Sequence, residues 1–225
     1  MRRKVTSILA LLMSLLCMVG TASTLSAQGS GLVARWKADG DFGDSVNGFN
    51  GTPYGGVSFI KGKLGKAFQF DGSSGRIFVP DYPELALTKS MCITAWVYVH
   101  PTTNGRILFR GDDRASLDPY ALTYQNQTLD FAVMDASGVY AIVKATIPTE
   151  EFVFVAGTLD DATGIMNLYA NGRLVATTTT KVRPYGNLDT NSNPGIGIGD
   201  VQSGVGNEKL YGAVDDLKIY NIANP

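Results

Sequence analysis

The chain has 225 residues, 19 basic and 20 acidic side chains and one histidine. A formal charge of −1, with no basic run beyond residues 2–4, argues against a nucleic-acid partner, because phosphate recognition needs clustered Lys and Arg. One histidine cannot build a multi-histidine zinc centre.

In chain order, Arg2, Arg3 and Lys4 come first, then an almost unbroken apolar stretch over 8–19, then Gly20, Thr21, Ala22 and Ser23. A positive start, a short apolar core and a small-residue zone read as a secretory signal peptide. It is expected to span 1–27 with cleavage after Ala27; Ala22 is the alternative site. The stretch falls short of the roughly 20 residues a membrane-spanning helix needs, so an uncleaved anchor is the weaker reading. Leu16, not a small residue, precedes Cys17, which argues against a lipid anchor. Cleavage leaves 28–225 as one domain with 16 basic and 20 acidic residues, a balance of −4. It also leaves Cys92 as the sole cysteine, so no internal disulfide can form and stability must come from packing.

Beyond Gly31 no segment has helical periodicity. Short runs of Val, Ile, Phe, Tyr and Thr alternate with Gly, Asn, Asp and Pro, the pattern of strands and turns. Strands are predicted at 32–37, 66–70, 76–79, 91–99, 106–110, 120–124, 128–134, 139–145, 152–159, 166–170, 174–178, 195–199 and 211–220. In the strongest, Met91, Ile93, Ala95, Val97 and Val99 share one face and Cys92, Thr94, Trp96 and Tyr98 the other. Neither face is strongly polar, which predicts a central strand covered on both sides. Asn171-Gly172 marks a two-residue hairpin, since both positions of such a turn require positive φ. These elements define an all-β sandwich.

Four segments carry a family resemblance. Gly62-Lys63-Leu64-Gly65-Lys66-Ala67-Phe68-Gln69-Phe70-Asp71-Gly72 resembles the glycine-lysine signature of laminin-G-like domains. Ile93-Thr94-Ala95-Trp96-Val97 is similar to their Trp-bearing core strand, and Leu168-Tyr169-Ala170-Asn171-Gly172 to their hairpin. Tyr211-Gly212-Ala213-Val214-Asp215-Asp216-Leu217-Lys218-Ile219-Tyr220 is similar to their closing strand. Where that family often has Trp-His, this chain has Glu151-Phe152-Val153-Phe154-Val155-Ala156. The resemblance implies a two-sheet antiparallel jelly-roll sandwich of the concanavalin A-like kind, with first and last strands adjacent. Lectin-like adhesion modules, polysaccharide hydrolases and appended secreted domains share that fold, so fold alone does not choose among them.

Two candidate sites emerge. The stretch 39–51 is dense in Asp, Asn and Gly, the oxygen-rich composition Ca²⁺ prefers, although its spacing is not that of an EF-hand. The family resemblance implies that Asp44 and Asp215 meet around one calcium, with Asn47 or Asn50 as an additional ligand; the alternative is that these residues close turns. The second site is the charged segment Arg110-Gly111-Asp112-Asp113-Arg114, followed by Asp118-Pro119-Tyr120, between two predicted strands. Its Arg-Gly-Asp invites an integrin reading. Arginine and carboxylates can instead grip sugar hydroxyls, with Tyr120 stacking on a sugar face, or the charges can form a local network that fixes the loop.

Catalysis lacks an inventory. Glycoside hydrolysis normally needs two carboxyls flanking the bond, and no Glu-x-Asp-x-Glu strand occurs. The adjacent Glu150 and Glu151 point to opposite faces of a strand. His100 beside Pro101 reads as a turn residue, and Cys92 as a small core residue. Gly195-Ile196-Gly197-Ile198-Gly199 lacks dinucleotide-loop spacing and reads as a close-packed strand. The expectation is an exported, non-enzymatic module, extracellular, surface-held or periplasmic, that binds carbohydrate or a surface protein with calcium as a candidate aid. The alternatives are a polysaccharide hydrolase or lyase with an unfamiliar carboxylate site, and an assembly domain whose only partner is protein. Asn50-Gly51-Thr52 and Asn126-Gln127-Thr128 are glycosylation acceptors only in a host with an endoplasmic reticulum.

Overall fold

The computed structural model describes residues 31–114 and 117–225; the expected signal peptide lies outside them. Within these residues the alternating runs form strands β1 (Leu32–Trp36), β2 (Thr52–Tyr54), β3 (Val57–Lys61), β4 (Lys66–Asp71), β5 (Arg76–Pro80), β6 (Met91–Val99), β7 (Gly105–Gly111) and β8 (Tyr120–Gln125). They continue as β9 (Thr128–Met134), β10 (Tyr140–Ala145), β11 (Val153–Leu159), β12 (Ile165–Ala170), β13 (Arg173–Thr179), β14 (Gly195–Ile198) and β15 (Tyr211–Tyr220), with one 3₁₀ turn at Pro83–Leu85.

Two antiparallel sheets result. One has the order β13-β12-β11-β6-β15-β4-β3, with β1 also on β15; the other runs β10-β9-β8-β7-β14-β5-β2. The ten-residue β15 lies between β6 on one side and both β4 and β1 on the other. Its residues 211–214 pair with β4, and its later residues pair with β1. A bulge between Asp215 and Lys218, with Asp216 at φ 50°, separates the two halves. Asp216 there accepts from Arg35 at 2.7 Å and Lys218 at 2.6 Å.

Inward-facing side chains of both sheets form one apolar core, as in face-to-face sandwiches. Met91, Ile93, Ala95, Val97 and Val99 of β6 meet Ile107, Leu122, Phe131 and Ile196, all fully buried. Trp36 is equally buried, and its indole N–H is satisfied by Phe49 O at 2.9 Å. The outward face of β6 differs from expectation: Cys92 and Thr94 are buried, but Trp96 and Tyr98 are only half-buried. Lys63 Nζ stands 5.0 Å over the Trp96 ring, and Phe152 lies 5.8 Å from the Tyr98 ring between centroids.

β2 and β3 have no counterpart among the predicted strands. Both are edge strands. β2 contains Pro53, which a sheet tolerates only where an N–H need not pair inward, and Gly55-Gly56 hides the boundary with β3. The predicted hairpin is present, with Asn171 at φ 49° and Gly172 at φ 75° joining β12 to β13.

Candidate functional site

The seven-stranded sheet carries the candidate site on its outer face. The ladder aligns Phe78 of β5, Gly197 of β14 and Phe109 of β7 in one row. Gly197 is needed there: a Cβ would sit 2.2 Å from Asp200 O and 2.7 Å from Gln202 N, because the 200–202 backbone crosses directly over β14. That crossing forms a ridge between two depressions. One, of about 230 Å³, is lined by Arg106, Phe109, Asp113 and Asp118; the other, of about 220 Å³, by Tyr54, Arg76 and Phe78, and both border Gln202 and Ser203.

Each wall has a physical basis. Arg106 lies over the Phe109 ring at 5.1 Å, donates to Thr123 Oγ1 at 3.0 Å and pairs with Glu208. Its Nε is buried with no hydrogen-bond partner among the described residues. Asp118 forms no hydrogen bond among them either; burial raises its pKa from 3.8 to about 6, with Arg106 opposing and Asp112 and Glu208 adding to the rise. Across the ridge, Arg76 stacks on the Tyr54 ring at 4.1 Å and donates to Gln202 O at 3.3 Å. Tyr54 is 43% exposed, so ring surface remains open to a ligand. The groove thus offers a carboxylate, two guanidinium groups and aromatic faces, the set that recognises a polyol with apolar ring faces.

The five residues expected to bind a ligand divide. Asp112 and Asp113 line the groove. Asp113 is held by Gln202 Nε2 at 3.0 Å and by Asn193. Asp112 accepts from the Arg114 side chain at 2.6 Å and from Asp189 N at 2.8 Å. Arg110 and Tyr120 are fully buried. Arg110 donates to both Asp81 oxygens, at 3.0 and 3.1 Å, and to Gly186 O at 2.9 Å. Tyr120 donates to Leu85 O at 2.9 Å. Asp112 and Arg114 form a local pair of the kind the network alternative expects, Arg110 pairs outside the segment with Asp81, and no face of Tyr120 is open for stacking. Tyr54, Arg76, Phe78, Arg106, Phe109 and Gln202 escaped the sequence reading. Their signal was alternation, since Arg76 and Phe78 interleave with core residues Ile77 and Val79; that β14 would align β5 beside β7 is not local information.

The calcium candidates go to different places. Asp44 Oδ1 accepts from Arg35 N at 2.7 Å and Val46 N at 3.1 Å, and Oδ2 from Asn47 N at 2.9 Å and Phe49 N at 3.1 Å. Asn47 Nδ2 donates to Val33 O at 2.8 Å, and Asn50 Oδ1 accepts from Asp44 N at 3.0 Å. Asp215 instead faces the β3–β4 turn, its Oδ2 accepting from Leu64 N at 2.7 Å. Its Oδ1 is buried without a partner, and burial raises its pKa. Among the described residues no three His, Cys, Asp or Glu gather in a metal-holding group.

Two antiparallel sheets closed around one core, with a groove across an outer face, define a jelly-roll sandwich of the lectin-like class. The family model described as the concanavalin A-like lectin/glucanases superfamily matches residues 71–224. The chain belongs to that superfamily. No curated protein matches it in sequence. Among solved structures it is similar to domain 4 of AbnA, a GH43 extracellular arabinanase from Geobacillus stearothermophilus, in complex with arabinotriose. That likeness has a TM-score of 0.65 and 22% identity, covering 84% of this chain and 91% of that one. It is also similar to the binding domain of Paraclostridial Mosquitocidal Protein 1 (TM-score 0.70, 15% identity, 86% of this chain) and to the receptor binding domain of botulinum neurotoxin C/D mosaic serotype (0.65, 15%, 87%). This chain spans 49% of the length of each of those two toxin domains. At these identities the likenesses establish the fold.

Proposed function

We propose that this is an exported, non-catalytic recognition module that binds carbohydrate along the groove of its seven-stranded sheet. The observation that carries the reading is Asp118, a carboxyl without a hydrogen bond among the described residues, beside the Arg106 guanidinium on the same open face. Sugar hydroxyls satisfy both kinds of group, and the Tyr54 ring across the ridge suits an apolar sugar face. The arabinotriose-bound neighbour supports the ligand class. The non-catalytic part rests on the partners of the carboxylates. Asp112 and Asp113 are held by neighbours, which leaves one unengaged carboxyl where hydrolysis normally needs two. Export rests on the amino-terminal pattern, and no helix among the described residues is long and apolar enough to cross a membrane.

Calcium enters the reading at Asp215 alone. Asp44 takes its backbone partners from Arg35, Val46, Asn47 and Phe49, and Asp215 takes its partner from Leu64. The buried, unpartnered Asp215 Oδ1 calls for a cation or a proton. With a cation there, millimolar calcium raises the melting temperature, since an ion bound only to the folded state must stabilise it. An unchanged melting temperature between calcium and chelator assigns that oxygen to a proton.

A glycan array read with and without chelator tests the main claim. Arg106→Ala and Asp118→Asn are each expected to weaken retention on the responding glycan about ten-fold, the loss of one charge-assisted hydrogen bond of roughly 1.5 kcal/mol. Wild-type retention by both variants would remove the groove from the reading. Release of reducing sugar from polysaccharides would overturn the non-catalytic part.

A further inference from the structure

The eight-stranded sheet has its own concavity on the opposite side of the sandwich, away from the groove. It measures about 470 Å³, within the range of about 300–1,000 Å³ usual for small-ligand sites. Beneath it lies Ala213 of β15, itself fully buried, which the ladder sets beside Gln69 of β4 and Tyr98 of β6. A small residue between two long ones lowers the surface there into a trough. Aromatic rings close one side, with Tyr98 and Phe152 at 5.8 Å between centroids and His100 and Tyr211 at 4.7 Å. All four rings keep solvent-accessible surface.

The polar rim is uncommitted. Lys61 and Glu151 are exposed and have no side-chain partner among the described residues. Gln69 uses its carbonyl oxygen on Ser58, at 3.1 Å, and keeps its amide protons. The His100 ring uses Nδ1 on Thr102, at 2.9 Å, and keeps Nε2. The backbone narrows the ligand class further. β4, β15 and β6 each have a strand on both sides, so over them an occupant is read by ring faces and side-chain hydrogen bonds; strand addition, which needs an edge, is left only to β3 at the Lys61 rim.

We infer that the trough formed by Tyr98, Phe152, His100 and Tyr211 over Ala213, rimmed by Lys61, Gln69 and Glu151, is a second saccharide-binding site, independent of the groove. It takes its ligand class from the proposed function but uses none of the groove residues. With sites on both outer faces, one domain can hold two glycan chains, and attachment to a polysaccharide surface gains avidity without new contacts.

His100 is the only histidine in the chain, so the single Cε1–H imidazole resonance of the untagged protein reports on the trough. The probes are arabinotriose, xylotriose, mannotriose and galactotriose at millimolar concentration, with calorimetry for total binding. At least one probe is expected to shift the His100 resonance saturably, and Tyr98→Ala and Glu151→Gln to weaken that response at least five-fold. Glu151→Gln, at an exposed position, guards against a Tyr98 variant that misfolds. Arg106→Ala is expected to leave the shift intact while reducing the calorimetric stoichiometry. A silent His100 beside calorimetric binding that Arg106→Ala abolishes overturns this inference and leaves the groove standing. A His100 response with binding indifferent to Arg106→Ala does the reverse. Silence in both measurements for all four probes overturns both.

Discussion

Arg110 and Asp118 show how little a residue's place in a motif says about its role. Arg110 begins an Arg-Gly-Asp, yet it is fully buried and its fork closes on Asp81. Arg110→Ala leaves that carboxylate unpaired, and breaking a buried pair from one side costs about 3–5 kcal/mol. Urea unfolding is expected to show a loss near the lower figure, because Asp81 keeps some solvent contact; glycan retention of the folded fraction should stay at wild type. Retention lost without stability would make Arg110 a ligand residue. Asp118 has the opposite character. Burial raises its pKa from 3.8 to about 6, so the folded state holds a proton that the unfolded chain has released. Its stabilising contribution is complete below 3.8 and disappears as pH rises through about 6. Wild type should therefore lose stability across that window relative to Asp118→Asn, as read by melting temperature against pH. Parallel profiles for the two proteins would show that the carboxyl is solvated like any other.

Among the elements, β14 and the backbone that crosses it determine the shape of the groove. Gly195, Gly197 and Gly199 read in sequence as close packing. The structure adds what packs: Phe78 against Gly195, the 200–202 crossing over Gly197, and Phe70 against Gly199. Gly197→Ala would force the ridge outward, because the atoms in the way belong to backbone and cannot rotate aside. Overpacking of this kind costs about 1–3 kcal/mol. The variant is expected to lose that much in urea unfolding and to lose glycan retention as well, since Gln202 moves with the ridge. Retention kept at wild-type strength would mean that the ridge does not shape the site. The 171–172 hairpin was readable because its turn is set by two adjacent residues. β2 and β3 were not, because Pro53 and Gly55-Gly56 interrupt short edge strands that only their partners β5 and β4 define.

At the scale of the whole molecule, the described residues are held by the sandwich core and contain no disulfide. Cys92 is a free, buried thiol whose pKa burial pushes up to about 12, so it is neither a ready nucleophile nor a disulfide partner. The melting temperature of a protein comprising 28–225 should be the same with and without reductant; a reductant-sensitive transition would reveal an intermolecular disulfide. Alternation along single strands sufficed to determine the all-β class and the buried face of β6, because burial with period two is written in neighbouring residues. The family motifs located the turn near Gly62 and the closing strand. Which residues share an outer face was decided only in three dimensions, where β14 enters between β5 and β7, and β15 between β4 and β6. Strand order depends on long-range pairing across the core, so Arg106 and Asp118 become neighbours of Gln202, and Tyr98 of Tyr211, through contacts that no local pattern encodes.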